Sequence, residues 1–201
     1  MSAWVVVWIG AVLVLILWWD LYALTPGILL LATGYVLTQH GGDDWATELF
    51  GIALVPVLGG VALSLGFVRA RVRAPAVLKP PVVTRLLAAL TISAAASLLP
   101  LERLLPYVPA DLQNPTTLRL LAYLIFSGLA YLSLAELPIF MGFGFLLLLL
   151  TANILIQSAY GELPSFLLLA NMLELCTVLL LSRQALRLPL WLSRRQEEAA
   201  S

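Results

Sequence analysis

Apolar residues run along this chain for about twenty positions at a time, and polar residues collect in short clusters between the runs. That is the period of a helix apolar on all sides, not of a half-buried strand or an amphipathic surface helix. An apolar helix needs about 20 residues to cross about 30 Å of hydrocarbon. On that ruler the pattern predicts seven spans. The first runs from Trp4 to about Tyr22 and is broken by Asp20 and by "TPG" at 25–27. Thr25 is expected to cap a second helix, with Pro26 in its first turn, reaching about Gln39. Fusing the two would give a helix of about 54 Å, too long for one crossing.

"HGGDDW" at 40–45 reads as a solvated turn. The third span covers about Glu48 to Val68, and Pro56 inside it predicts a kink where the helix loses a donor. "RARVRAPAVLKPP" links it to a fourth span, about Val82 to Leu99, whose "AALTISAAAS" offers small residues for close helix contact. "PLERLLPYVPADLQNPT" at 100–116 carries four prolines and reads as a surface connection. The fifth span is about Thr117 to Leu134, the sixth about Pro138 to Tyr160, and the seventh about Pro164 to Leu186.

Composition agrees with this pattern. The chain has 201 residues, of which 62% are hydrophobic and 11% charged, and its mean hydropathy is +1.01. Soluble domains are nearer half apolar and a quarter charged. The expectation is an all-α integral membrane protein forming a single transmembrane helical domain over residues 1–201. The N-terminal run lacks a basic stretch before it and a small-residue cleavage site after it, so it reads as a retained span.

Charge then orients the spans. Arg69, Arg71, Arg73, Lys79 and Arg85 flank the third connection, and Arg183, Arg187, Arg194 and Arg195 follow the last span. Seven spans put both groups on one side, leaving only Arg103 and Arg119 opposite. By the positive-inside rule the N-terminus is outside and the C-terminus cytoplasmic, as expected of a multi-pass protein of a bacterial inner membrane. Eleven basic and eleven acidic residues balance, which gives no basic surplus for nucleic acid.

Against so much apolar sequence, a few polar residues stand out. Glu174 lies ten residues past Pro164, about 15 Å along its helix and near the midplane. A carboxylate there costs roughly 2.5–3.5 kcal/mol on insertion scales, which marks it as a functional candidate. Asn171 and Thr177 flank it and are expected to share its face. On the sixth span Asn153 and Gln157 are four apart, and the turn "YGELP" should bring the two polar stripes together at similar depth. Hydrogen bonding between helices is the competing role for these amides. Glu136 is a second, more interfacial acid. Glu48, Asp43 and Asp44 read as solvated residues near the outer face, and His40 as a loop residue. Tyr123, Ser127 and Tyr131 recur every four residues and read as a packing face.

Absent motifs narrow the function. There is no Walker A loop, no HExxH and no GxSxG. Cys176 is the single cysteine and His40 the single histidine, so neither a disulfide within the chain nor a metal or bis-histidine haem site is expected. An autonomous enzyme and a bound cofactor are therefore not expected.

The C-terminal third, "GFGFLLLLLTANILIQSAYGELPSFLLLANMLELCTVLLLS", resembles the small hydrophobic subunits of complex I-like assemblies. These include component E of hydrogenase-4-type complexes and subunit K of complex I. The early "TPGILLLATGYVLTQ" looks like a second helix of the same kind. The resemblance covers about half the chain and rests on leucine-rich hairpins with an acid inside a span. It implies a non-catalytic subunit partnered by other integral membrane subunits within the lipid bilayer. It also implies a proton path lined by buried acids, with Glu174 as the matching position and Glu136 as a second. That family commonly has two deeply buried acids in neighbouring helices, where this chain shows one. The expected function is thus an energy-coupling subunit with a proton or cation path at Glu174. The alternatives are a scaffold subunit and a small stand-alone transporter.

Overall fold

The computed structural model describes residues 3–16, 21–39, 45–69, 81–98, 115–134 and 138–160, with positions 169, 171–173, 175–177, 179–180 and 183. Among the described residues all regular structure is α-helix. α1 spans Ala3–Ile16, α2 Leu21–Gln39, α3 Trp45–Arg69, α4 Val82–Leu98, α5 Pro115–Leu134 and α6 Pro138–Tyr160. The described positions between 169 and 183, here the C-terminal run, are helical too. Two stretches, Trp45–Leu65 of α3 and Thr117–Leu134 of α5, are long and apolar enough to cross a membrane. Leu24–Leu37, Val82–Ala96 and Met141–Gln157 are shorter apolar stretches.

Local sequence explains the ends of these helices. α5 and α6 both begin on a proline, whose fixed φ suits the first turn and whose missing N–H would have no helical partner there. α2 departs from expectation. It starts at Leu21, so Pro26 lies inside the helix and Thr25 is not its cap. The physical reason is economy: Pro26 deprives only one carbonyl, near the helix start, of its donor, while the apolar residues before it still gain from packing. The Thr25 side chain packs against α3 instead, where a Cβ on Gly60 would meet Thr25 Oγ1 at 2.7 Å.

The helices form a closed ring. α1 packs on α2, α2 on α3, α3 on α6, α6 on α5, α5 on α4, and α4 on α1, with the α1–α2 contact the most extensive. α2 also touches α5 and α6 across the ring. One side of it is accordingly enclosed, with Leu24, Ile28, Leu31, Ala32 and Val36 fully buried. The α1–α2 contact is close because glycine lies on each helix. A Cβ on Gly10 would meet Leu31 N at 2.8 Å, and one on Gly34 would collide with Val7 Cγ2.

These pairs also give direction. From Val7 to Gly10 α1 advances while its partner positions on α2 fall from Gly34 to Leu31, so the helices are antiparallel. On α5 and α6, Gly128 meets Leu148 and Gly144 meets Leu132, again antiparallel. α2 and α3 pack together across the short connection 40–44 and are antiparallel as well. With the α3–α6 pairing described below, α1, α3 and α5 run one way and α2 and α6 the other.

Candidate functional site

The polar residues of the bundle are best understood from the α3–α6 seam. Leu63 of α3 lies against Gly142 of α6, where a Cβ would meet Leu63 Cδ1 at 2.8 Å. Eleven residues back along α3 is Ile52, and eleven forward along α6 is Asn153. These two also meet: Asn153 Nδ2 donates to the Ile52 carbonyl at 3.2 Å. The helices therefore hold one antiparallel register over that length. The same register sets Gly59 opposite Leu146, Pro56 opposite Leu149, and Glu48 opposite Gln157. Burial follows it: Gly59, Pro56, Leu146 and Leu149 are buried, and Glu48 and Gln157 are half-buried at the end of the seam.

The Asn153–Ile52 bond has a cause in α3. The carbonyl of Ile52 would ordinarily accept from the N–H four residues on, and that residue is Pro56, which has none. An orphaned carbonyl inside an apolar bundle costs about 1–3 kcal/mol. Asn153 supplies the missing donor from another helix. Because a carbonyl can only accept, this bond also settles which way the Asn153 amide points: Nδ2 to Ile52, Oδ1 away from it. Asn153 is fully buried, and its Oδ1 has no hydrogen-bond partner among the described residues. One turn on, Gln157 Oε1 is likewise buried and unpartnered.

Two observations bear on the expected polar stripes. Asn153 directs its donor to α3, not to the C-terminal run. Asn171 and Thr177 do not share an environment: Asn171 is buried at 2% exposure and Thr177 is exposed. Six residues at 100° each leave these two about 120° apart around a helix, too far for one face. The Thr177 hydroxyl donates to the Leu173 carbonyl of its own helix at 2.9 Å. Asn171 Oδ1 is buried without a partner among the described residues. Glu174 and Glu136 lie outside the described residues, as do Asp20, His40, Asp43 and Asp44.

Other polar groups in the bundle are committed to packing. Thr151 is buried and donates to the Leu147 carbonyl at 2.9 Å. Tyr123, Ser127 and Tyr131 are all buried along α5, as their four-residue spacing implies, and the Tyr123 hydroxyl donates to the Ala11 carbonyl of α1 at 3.0 Å. Among the described residues no three His, Cys, Asp or Glu side chains gather as a metal site. The one cysteine, Cys176, is exposed.

Chemically, the seam offers acceptors and one acid. It has no nucleophile beside a base. Sequence reasoning missed Glu48 as a member of this set, because its place near an acidic turn explained it as a solvated residue. The available signal was its spacing. Glu48, Ile52 and Pro56 stand four apart, so a proline that demands an outside donor also aligns the acid with that donor's helix. Compared with known protein families, curated proteins and solved structures, the chain matches none.

Proposed function

We propose that this protein is a multi-pass, non-catalytic subunit of a larger energy-coupling complex in a bacterial inner membrane, of complex I-like or antiporter type, with Glu174 on a proton or cation path. The observation that carries this reading is the set of buried, unpartnered amide oxygens on Asn153, Gln157 and Asn171 within an otherwise apolar bundle. Acceptors left open at such depth suit protonated groups, water or cations passing between helices. Glu174, three residues from Asn171, is the acid nearest to them in sequence on the C-terminal run.

The outward surface supports an embedded subunit. α4 exposes Val82, Val83, Leu86, Leu87 and Leu90, and the C-terminal run exposes Leu169, Met172, Leu173, Leu179 and Leu180. Lipid and neighbouring apolar helices are the surroundings in which such faces are stable. Helix direction supports the seven-span orientation, with the N-terminus outside and the C-terminus cytoplasmic. α3 and α5 run the same way, so Arg69 at the end of α3 and Arg119 near the start of α5 fall at opposite ends of the bundle.

Gentle detergent purification followed by identification of co-purifying subunits tests this reading. Stable membrane partners are expected, and Glu174→Gln in the assembled complex should reduce proton or cation coupling. Wild-type coupling in that variant sinks the relay. A scaffold role is the second reading, favoured by the Asn153–Ile52 clasp, in which a buried amide serves helix joining alone. For a scaffold, Glu174→Gln is tolerated while Glu174→Leu disrupts assembly. Transport by the purified chain alone in liposomes would instead identify a stand-alone transporter.

A further inference from the structure

We propose that the polar end of the α3–α6 seam, formed by Glu48, Asn153 and Gln157, binds a dehydrated monovalent cation of sodium or potassium size. The seam changes character along its length. At one end Leu63 packs on Gly142 and nothing polar is needed. At the other, two buried carbonyl oxygens, Asn153 Oδ1 and Gln157 Oε1, stand one helical turn apart on α6 without donors among the described residues. Side chains four apart on a helix have Cβ atoms about 5–6 Å from each other, close enough to ligate one ion. The register of the seam sets Glu48 level with Gln157 on the facing helix.

Each ligand is constrained in a way that favours a cation. The Asn153 oxygen cannot rotate away, because the Ile52 carbonyl, deprived of its own donor by Pro56, holds the Nδ2 side of the amide. Glu48 lies in the first turn of α3 and is the one carboxylate of the set. The set is therefore one carboxylate and two amide oxygens, with neither nitrogen nor sulfur, and hard oxygen ligands select alkali or alkaline-earth ions over transition metals. One carboxylate neutralises one charge. A divalent ion would leave an uncompensated charge at a half-buried site, which low local dielectric disfavours. Glu48 contributes its charge and its level on the seam. The site shares the Asn153 and Gln157 oxygens with the function proposed above but involves neither Glu174 nor a partner subunit, so substitution of Glu174 tests the one and substitution of Glu48 the other.

The test uses the full chain in detergent or nanodiscs, titrated with sodium, potassium or choline chloride at constant ionic strength. The thermal midpoint should rise saturably, by several degrees, with sodium or potassium and not with choline. Glu48→Gln keeps the side chain's size and should abolish the rise; Gln157→Leu should weaken it at least severalfold in apparent affinity. Glu174→Gln should leave it unchanged. Equal rises in choline mean a general salt effect, a full rise in Glu48→Gln means that the stabilising cation does not use this carboxylate, and either outcome overturns the proposal. If Glu48→Gln does not fold, equilibrium binding of radioactive sodium to the unsubstituted chain decides. A single saturable site displaced by potassium, and weakened in Gln157→Leu, supports the proposal, and absence of saturable binding overturns it.

Discussion

Asn153 shows how a single buried amide can be required by a residue on another helix. Pro56 removes the donor to Ile52, and Asn153 restores it. The two residues should therefore be coupled. Asn153→Leu alone should destabilise the protein by about 1–3 kcal/mol, the cost of an unsatisfied buried carbonyl. In a Pro56→Ala background, residue 56 regains its N–H and the same change should cost less than about half as much. Thermal unfolding of the four proteins in detergent measures this cycle, and equal losses in both backgrounds would remove the clasp from the account. At this scale the sequence showed that Asn153 is a polar residue inside an apolar run. It did not show its partner, because that partner is a backbone carbonyl, a group every residue carries. Only the missing N–H of Pro56 distinguishes it. The predicted grouping of Asn171 with Thr177 failed for a simpler reason: sequence proximity outweighed the 100° step of the helix.

At the scale of elements, close approach depends on where side chains are absent. Gly10 and Gly34 let α1 and α2 pack backbone against side chain. Gly34→Val would drive its side chain into Val7 and should destabilise by about 1–3 kcal/mol or more, as overpacked sites do. Leu37→Ala, on the exposed side of the same helix, should stay within about 0.5 kcal/mol of wild type. If the two variants melt alike, the α1–α2 register is wrong. Helix existence was readable from apolar run length, since all six bounded helices fall on runs visible in the sequence. The start of α2 was not, because Thr-Pro normally reads as a helix boundary, and packing against α1 and α3 carries the helix through it.

At the scale of the whole molecule, the six bounded helices form a ring in the order α1, α2, α3, α6, α5, α4, and this order was not visible in the chain. Apolar runs carry no label for their partners; glycines and buried amides select them. The proposed orientation can be tested by cysteine labelling in a Cys176→Ser background. Gly41→Cys should react with an impermeant reagent from outside, and Ala74→Cys only from the cytoplasmic side. Labelling of both from one side removes the seven-span arrangement. Breadth of exposed apolar surface also predicts that α4, with Leu86, Leu87 and Leu90 outward, tolerates exchange among large apolar residues and rejects charge. Leu87→Val should assemble normally, and Leu87→Asp should cost about 2.5 kcal/mol or more in insertion, read as loss of membrane-inserted protein.

The ring order has a consequence for how the protein is made. α3 leaves the ribosome early, yet the helix that completes it is α6, which follows only after α4 and α5. Until then the Ile52 carbonyl has no donor, and an unmet backbone group in hydrocarbon costs several kcal/mol. A nascent chain stopped before α6 would thus hold a third helix poorly suited to lipid. In the membrane setting proposed above, biogenesis would keep that helix beside a temporary companion, and chains truncated after Leu134 should be retained at the insertion machinery or degraded.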